Sequence, residues 1–338
     1  MSNVHRAVKR NNEMKNRYYI IIALLALAFT ACQEEEFLDG LCKVRFVAQL
    51  QDEVSVTRAD DTDNTYKPLS SSNYSSDLDA SLYISFGDTH KEYEMEWTSN
   101  GVSSNIHLET GAYNFYGYAP KIDNATFVNS TKTLTIPSIP ALYDKDLVVI
   151  NPCSETVVKG DIGTQKTVPL KMDHLLAKIT PCFYLNSEYA ELRGIKIKEV
   201  EFFFDSAPIY TATISYTNSD YSTAWSTPSS TSNKKSVVPY KKDDSKLTNL
   251  PTTATEYGHF YIVPQQSAAN LKMKVTYDVY DKSGILTRGG VTAINQIKNL
   301  PNSINAGTNY KLKIQVIPTY LYVLSDNDQS SVLVISNN

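Results

Sequence analysis

The sequence has little glycine, few cysteines and no excess of either charge. It carries 13 glycines and 4 cysteines in 338 residues, and 32 Lys+Arg against 36 Asp+Glu leave a formal net charge of -4. This balance lacks the basic excess that nucleic-acid binding requires, so nucleic acid is not expected as a partner. No cysteines stand in a CxxC pattern and no two of the 5 histidines have metal-ligand spacing. No metal site is therefore predicted.

Motifs for catalysis are missing as well. The chain contains no G-x-S-x-G turn, no H-E-x-x-H helix and no phosphate-binding loop. Its carboxylates are scattered, and scattered acids do not identify a catalytic pair. No catalytic residue and no cofactor is predicted, and the chain is not expected to be an enzyme. His174 is expected to be a hydrogen-bonded structural histidine rather than a general base.

Long runs of Ala, Leu, Glu and Lys are missing, and no long stretch shows a helical period. Ser, Thr, Val, Ile and 23 tyrosines are abundant instead, and β-branched and aromatic residues favour strands. Polar and apolar residues alternate in many segments, most regularly over 271–280, as they do in half-buried strands. The sequence predicts an all-β protein, with at most a short helical turn over 186–192.

Strand-like segments are spread along the whole chain after the first 41 residues. They cover 42–48, 81–86, 113–118, 133–136, 146–150, 176–184, 195–204, 210–216, 259–263, 271–280 and 310–317. The stretches 60–79 and 222–236 are rich in Ser, Thr, Asn and Asp and are interpreted as loops. This number of strands suits two β-sandwiches, an N-terminal one over 59–170 and a C-terminal one over 171–317.

The N-terminus is typical of a signal peptide over 1–31. Lys15 and Arg17 precede a short apolar run, YYIIIALLALAF, and Thr-Ala-Cys follows it up to Cys32. The run is short for a bilayer-spanning helix, although a transmembrane anchor is the alternative. Because Met14-Lys-Asn-Arg already forms a normal start for such a peptide, Met14 rather than Met1 is interpreted as the first residue.

The small residues before Cys32 resemble a lipobox, so Cys32 is the predicted site of lipidation by palmitate-like acyl chains. Each buried methylene of such a chain contributes about 0.8 kcal/mol, so several chains hold a protein firmly on a membrane. The acidic run at 33–36 is similar to the surface-export signal of Bacteroidetes-type lipoproteins. A solvated tether is the alternative interpretation of the same run.

Four segments together resemble the fimbrillin family, the subunits of type V pili. They are 111–120 (GAYNFYGYAP), 168–179 (VPLKMDHLLAKI), 260–265 (FYIVPQ) and 306–312 (AGTNYKL). The resemblance extends from the lipobox to about residue 317. It implies two transthyretin-like β-sandwich domains in tandem, and it places the protein on the cell outer membrane as part of a fimbrium.

The resemblance also implies a route of assembly. A lipoprotein precursor reaches the outer membrane, an arginine-specific protease removes its first strand, and a strand of the next subunit fills the groove. Arg58 follows a strand-like segment and precedes the first loop, so Arg58–Ala59 is the predicted cleaved bond and 32–58 the prosegment. An ordinary exposed arginine is the alternative.

The C-terminal segment 318–338 is the predicted donor strand. It holds two apolar runs, YLYVL over 320–324 and SVLVI over 331–335. In strand addition, main-chain hydrogen bonds give affinity and alternate side chains fill pockets. The alternative is a hairpin that closes the second sandwich of the same chain. The residues predicted to enter the partner are Tyr320, Tyr322, Leu324, Val332 and Val334.

Two cysteines remain if Cys32 carries lipid and Cys42 leaves with the prosegment. Cys153 and Cys182 are then a candidate disulfide in an oxidising compartment. A bond across this loop would contribute about 3 to 4 kcal/mol on the chain-entropy model. Two buried free thiols are the alternative.

The expected partners are other fimbrial subunits, the outer membrane through the lipid, and host or bacterial surface glycans or proteins. The expected function is that of a structural and adhesive fimbrial subunit. A lipoprotein that stays anchored and binds glycans without polymerising is the alternative. Trp97 and Trp225 could stack on sugar rings in that case, although such side chains are more often core or cross-strand pairs.

Overall fold

The computed structural model describes residues 40–55, 65–69, 78–97, 106–227, 233–264, 266–267, 270–297, 300, 304–318 and 333–334. Over these residues nearly all regular structure is β-strand. The helical elements among them are three short turns, Lys159–Asp161, Ser187–Ala190 and Asp244–Lys246. Asn186 caps the second turn, because its side-chain oxygen accepts a hydrogen bond from the Tyr189 amide at 3.2 Å.

The strands are numbered in chain order. The first twelve are β1 Cys42–Gln51, β2 Val54–Ser55, β3 Tyr66–Pro68, β4 Leu78–Phe86, β5 Thr89–Trp97, β6 Ile106–Leu108, β7 Gly111–Ala119, β8 Thr126–Val128, β9 Thr133–Pro140, β10 Leu142–Tyr143, β11 Val148–Val157 and β12 Gln165–His174. The others are β13 Ala177–Leu185, β14 Gly194–Ala207, β15 Ile209–Tyr216, β16 Tyr221–Ser226, β17 Asn233–Lys241, β18 Thr255–Glu256, β19 Phe260–Ile262, β20 Lys272–Tyr280, β21 Leu286–Gln296, β22 Thr308–Pro318 and β23 Leu333–Val334.

The first sheet has the order β3-β1-β12-β11-β7-β4-β5, and β6 also pairs with β1. The chain that leaves β5 at one edge therefore returns as β6 against β1 near the other edge. Both faces of this sheet are buried. Along β7, Tyr113 and Phe115 contribute to the core enclosed by this sheet, while Tyr116 and Tyr118 contribute to a second, larger core.

A four-stranded sheet, β16-β15-β9-β8, covers the other face of the first sheet. The contact is aromatic, because Tyr116 of β7 lies 4.8 Å from Tyr216 of β15 and 5.2 Å from Phe127 of β8 between ring centroids. Strands β8 and β9 come before β12 in the chain, and β15 and β16 come after it. This sheet is thus built from both halves of the sequence.

Two further sheets pack face to face in the second half of the chain. One has the order β10-β19-β13-β22-β2, with β18 on β13 and β23 on β22, and the other has the order β17-β14-β20-β21. Phe202 of β14 meets Phe260 of β19 with ring centroids 4.6 Å apart. The predicted alternation of β20 is confirmed, since Met273, Val275 and Tyr277 are each at most 1% exposed.

The all-β prediction is confirmed, and the architecture is sandwich-like. The loop predicted over 222–236 is wrong at both ends. Strand β16 pairs with β15 and β17 pairs with β14, because backbone pairing to a neighbouring strand overrides a Ser- and Thr-rich composition. The loop predicted over 60–79 likewise contains β3 and the start of β4.

The expected domain boundary after residue 170 lies inside β12. This strand belongs to the first sheet, and the next strand, β13, begins the second sandwich two residues later. The β16-β15-β9-β8 sheet carries strands from both sides of the boundary, and the larger core includes residues from all four sheets. The two halves therefore share the larger core, while the smaller core belongs to the first sheet.

Candidate functional site: the slot of the first strand

Strand β1 lies inside the first sheet and is surrounded on both sides. It runs parallel to β12, from the pair Lys43↔Gln165 to the pair Leu50↔Met172. On its other side, β6 pairs with its beginning and β3 with its end. These three neighbours, β12, β6 and β3, form what we call the β1 slot.

Every second side chain of β1 is buried in the core of the first sheet. The row consists of Cys42, Val44, Phe46, Ala48 and Leu50, each at most 1% exposed. Phe46 packs edge-on against the Phe115 ring at 5.3 Å between centroids. Full burial of a Val, Leu or Phe side chain contributes about 1.5 to 3 kcal/mol. The strand is therefore a structural part of the core, not an appended edge.

No hairpin joins β1 to a strand of its slot. Its parallel partner β12 begins at Gln165, more than a hundred residues later, and a parallel pair needs such a crossover connection. The forward connection runs through β2 and residues 56–65 to β3. The predicted cleaved bond, Arg58–Ala59, lies in this connection and outside the described residues. A break there would leave β1 and β2 held by non-covalent contacts alone.

Strand β3 forms the edge of the slot beside the end of β1. Its Tyr66 hydroxyl donates to Asp173 at 2.5 Å and accepts from Asn151 at 2.8 Å. The Tyr221 hydroxyl of β16 donates to the other Asp173 oxygen at 3.1 Å. Burial and the nearby Asp173 charge raise the pKa of both tyrosines above the usual range. These side-chain contacts do not involve β1, whereas all of the main-chain pairing of β3 is with β1.

Beyond β1 the chain crosses to the second sandwich. Val54 and Ser55 of β2 pair in parallel with Thr308 and Asn309 at the start of β22. Between the two strands, both carboxylate oxygens of Glu53 accept hydrogen bonds from the Lys178 amine at 3.0 Å. The first strand and its continuation therefore contact both sandwiches.

His174, the last residue of β12, lies at this crossing. It is 5% exposed, and its Nε2 donates to the main-chain carbonyl of Gln51 at 2.8 Å. Its Nδ1 faces the Asp146 carboxylate in a short hydrogen bond. Burial lowers the pKa of His174. The Asp146 charge, its hydrogen bond and the Gln51 carbonyl raise the pKa by more than burial lowers it, to about 9. The interpretation as a hydrogen-bonded structural histidine is confirmed.

We call the residues at this crossing the joint cluster: Gln51, Glu53, Asp146, His174, Lys178 and Asn309. Sequence reasoning identified His174 but not its partners. Asp146 is 28 positions away in the chain, and Asn309 donates from its side-chain amide to Glu53 at 3.4 Å across 256 positions. The available signal was the H-x-L-A-K pattern, which contains His174 and Lys178.

The candidate disulfide between Cys153 and Cys182 is not formed. Cys153 lies on β11 of the first sheet and Cys182 on β13 of the second, and both are free thiols, as is Cys42. Burial raises the pKa of all three thiols, that of Cys153 to about 12. Strands of different sheets hold the two thiols apart, and of the two only Cys182 is buried.

Most of the other predicted sites lie outside the described residues. They are Cys32, Arg58, Ala59, Tyr320, Tyr322, Leu324 and Val332. Val334 belongs to β23, whose main chain pairs antiparallel with the end of β22 at Ile317. This backbone pairing is the one expected of the alternative, in which the C-terminal segment forms a hairpin with the second sandwich of its own chain.

The aromatic residues considered for sugar stacking are mainly packed. Trp97 is fully buried in the first core, and Trp225 packs edge-on against Tyr210 at 6.2 Å between ring centroids. The core interpretation is thus correct for Trp97. A shallow polar pocket is lined by Glu92, Lys121 and their neighbours, but its aromatic residue, Tyr118, is 1% exposed and offers no ring face.

The described part of the chain holds neither a cluster of metal-binding side chains nor a membrane-spanning helix. Within it, no group of three or more His, Cys, Asp or Glu side chains is placed to bind a metal ion. No helix in the same residues is long and apolar enough to cross a membrane.

No family model matches the chain, and no curated protein matches it. Solved structures do. A fimbrial protein from Bacteroides vulgatus is 14% identical over 86% of this chain and 98% of that one, with a TM-score of 0.40. A candidate cell adhesion protein from Bacteroides uniformis is 13% identical over 88% and 98%, with a TM-score of 0.44. A candidate polysaccharide-binding protein from Bacteroides thetaiotaomicron is 11% identical over 83% and 93%, with a TM-score of 0.39.

Proposed function

We propose that this chain is a structural and adhesive subunit of a cell-surface fimbria. It is exported as a lipoprotein anchored at Cys32, cleaved at Arg58–Ala59 by an arginine-specific protease, and polymerised by donor-strand exchange. One observation carries the proposal. Strand β1 is buried as deeply as any core strand, yet its forward connection to the rest of the chain passes through the segment that contains Arg58.

Cleavage would separate the strands that leave from the strands that stay. The strands that leave, β1 and β2, precede the bond, and β3 with its buried Leu69 follows it. Loss of β1 would remove the parallel partner of β12 along eight register positions. It would also expose an apolar groove floored by Phe115, Leu170 and Met172, which are fully buried in the intact chain. An open strand edge beside an apolar groove favours addition of another strand.

The C-terminal segment has the pattern that such a groove requires. The buried row of β1 uses every second residue, and in the apolar runs 320–324 and 332–335 every second residue can form such a row, either Tyr320, Tyr322 and Leu324 or Val332 and Val334. Donation would require β23 to leave β22. The pairing involves two register positions, which is a small loss compared with the extended pairing available in the slot.

The test is cleavage of the folded chain beginning at Gln33 by an arginine-specific protease, followed by mass spectrometry and an unboiled, non-reducing SDS gel. We expect cleavage after Arg58 and a ladder of SDS-resistant multimers that lack the excised strand. Arg58→Gln should abolish both results. Arg45→Gln is the matched control, because Arg45 lies within β1 and pairs with Thr167, so its peptide bond is protected.

Two results would count against the proposal. Resistance of Arg58 in the folded chain would refute the processing step and favour the anchored lipoprotein that binds glycans without polymerising. Cleavage without multimers would show that this chain does not polymerise with itself. A chain that accepts a strand but donates none would then occupy the tip of the fibre or require a different subunit.

A further inference from the structure

The main-chain carbonyl of Gln51, at the end of β1, accepts a hydrogen bond from a buried side chain of β12. His174 reaches it from the far end of β12 through Nε2, at 2.8 Å. The acceptor belongs to the backbone, so the contact does not depend on the side chain at position 51. It depends on an extended strand that ends its pairing with β12 at this position.

A neutral imidazole carries one N–H, whereas the imidazolium form carries two. His174 has an acceptor at each ring nitrogen, the Gln51 carbonyl and the Asp146 carboxylate. When the ring is protonated, it donates hydrogen bonds to both acceptors at once. Hydrogen bonds with a charged partner are about twice as strong as neutral ones, so this geometry favours the charged ring.

We propose that His174, held by Asp146, is the positioning residue that recognises the strand occupying the β1 slot through one backbone carbonyl. In the unprocessed chain that strand is β1. In the fibre it is the donor strand of another subunit, and this part of the inference rests on the proposed function. Any strand that enters the slot has to extend to the position of Gln51 in order to present a carbonyl there, which determines the length of strand that the slot requires.

An empty slot leaves this buried cation without its second acceptor. A charged group that loses a hydrogen-bond partner while it remains buried destabilises the protein. Occupation of the slot by any strand that extends to this position restores the contact, because every residue carries a main-chain carbonyl. His174 therefore detects occupation of the slot without contacting side chains, which suits a groove that accepts its own β1 first and a different sequence later.

The charge of His174 is governed by Asp146, which precedes β11, and by Glu53, which follows β1 and binds Lys178 of β13. His259, beside β19, is within range of the same charges but is not among the groups that shift the pKa of His174. Burial lowers the pKa of His174, while Asp146, Gln51 and Glu53 raise it to about 9. For His259, burial and Lys178 lower the pKa. The ring of His174 is thus protonated at neutral pH and loses its proton at higher pH.

The test uses amide hydrogen exchange on the full, unprocessed chain, with protection of β1 compared with that of β7 in the same sheet. Between about pH 7 and about pH 10 we expect β1 protection to fall roughly ten- to a hundredfold relative to β7. Asp146→Asn should lower β1 protection already at neutral pH and remove most of the pH dependence. His259→Gln is the matched control and should leave the wild-type profile unchanged.

If Asp146→Asn does not fold, the wild-type pH series decides by itself. Protection of β1 that is independent of pH, or that changes equally in β7, would overturn the role of His174. This measurement does not require cleavage at Arg58, so failure of processing or of polymerisation leaves it valid.

Where cleavage succeeds, a labelled synthetic peptide of residues 41–58 reports release of the excised strand by exchange. We expect exchange to accelerate with the same pH dependence. The His259→Gln control should show the same acceleration as the wild type. An equal exchange rate in Asp146→Asn and wild type at neutral pH would contradict the inference.

Discussion

Phe46 is the side chain by which β1 is most deeply held, and its truncation gives the sharpest measure of how the slot stabilises the protein. Phe46 is fully buried and its ring contacts that of Phe115 at 5.3 Å. A buried Phe→Ala change costs about 3 to 5 kcal/mol through lost transfer energy and the cavity left behind. We expect Phe46→Ala to lower the free energy of unfolding by that amount.

The assay is urea unfolding of the intact chain, read by tyrosine and tryptophan fluorescence, with the midpoint and slope fitted together. Val47→Ala is the matched control, because Val47 lies next on the same strand, faces away from that core and is partly exposed. Its cost should be about 1 kcal/mol or less. In the chain cleaved at Arg58, Phe46→Ala should also release the excised strand about a hundredfold faster or more.

A loss below about 1 kcal/mol for Phe46→Ala would refute the reasoning. It would mean that the core enclosed by the first sheet forms without β1 and that removal of β1 opens no groove. Equal losses for Phe46→Ala and Val47→Ala would have the same meaning, because the alternation of buried and outward residues would then have no energetic consequence.

Three further predictions follow from single sites. The pKa of His174 in the folded protein is about 9, above its ordinary value of 6.5. Its contribution of about 3 kcal/mol to the free energy of unfolding is therefore complete below pH 6.5 and is lost as the pH rises through 9. Equal urea midpoints at about pH 7 and about pH 10 would contradict this. Gly117→Ala would place a Cβ 2.3 Å from a main-chain oxygen of β4, so we expect a loss of about 1 to 3 kcal/mol or more in thermal unfolding, whereas Gly160→Ala, with open space around it, should change little. Mass spectrometry after alkylation in denaturant should find Cys153 and Cys182 as free thiols, and slow alkylation of the folded chain should follow from their raised pKa values; a linked peptide pair would disprove it.

The strands that the sequence predicted best are those with a regular alternation and a dense apolar row. Residues 271–280 and 195–204 correspond to β20 and β14, which lie side by side in one sheet. Strand β5 was missed because its outward face is charged and most of its length is exposed. Strands with one strongly polar face have little periodic signal of their own, and they form because a neighbouring strand supplies their hydrogen bonds.

The candidate site was partly predictable. A strand in the first domain before Arg58 was expected, and β1 occupies that position with the expected buried row. The partners of His174 were not predictable, because Asp146 and Gln51 are 28 and 123 positions away from it in the chain. Separation of this size carries no local pattern. The antiparallel pairing of β11 with β12 brings Asp146 to His174, and the parallel pairing of β1 with β12 brings Gln51 to it.

The all-β class, the positions of most of the longer strands and the apolar face of β1 follow from the sequence, because these depend on side chains a few residues apart. The place of β1 inside the first sheet and the joining of both halves by the β16-β15-β9-β8 sheet are evident only from the fold. The fold also decided that Cys153 and Cys182 belong to different sheets. Pairing between distant strands depends on which apolar faces can be buried against each other, and that is a property of the whole chain.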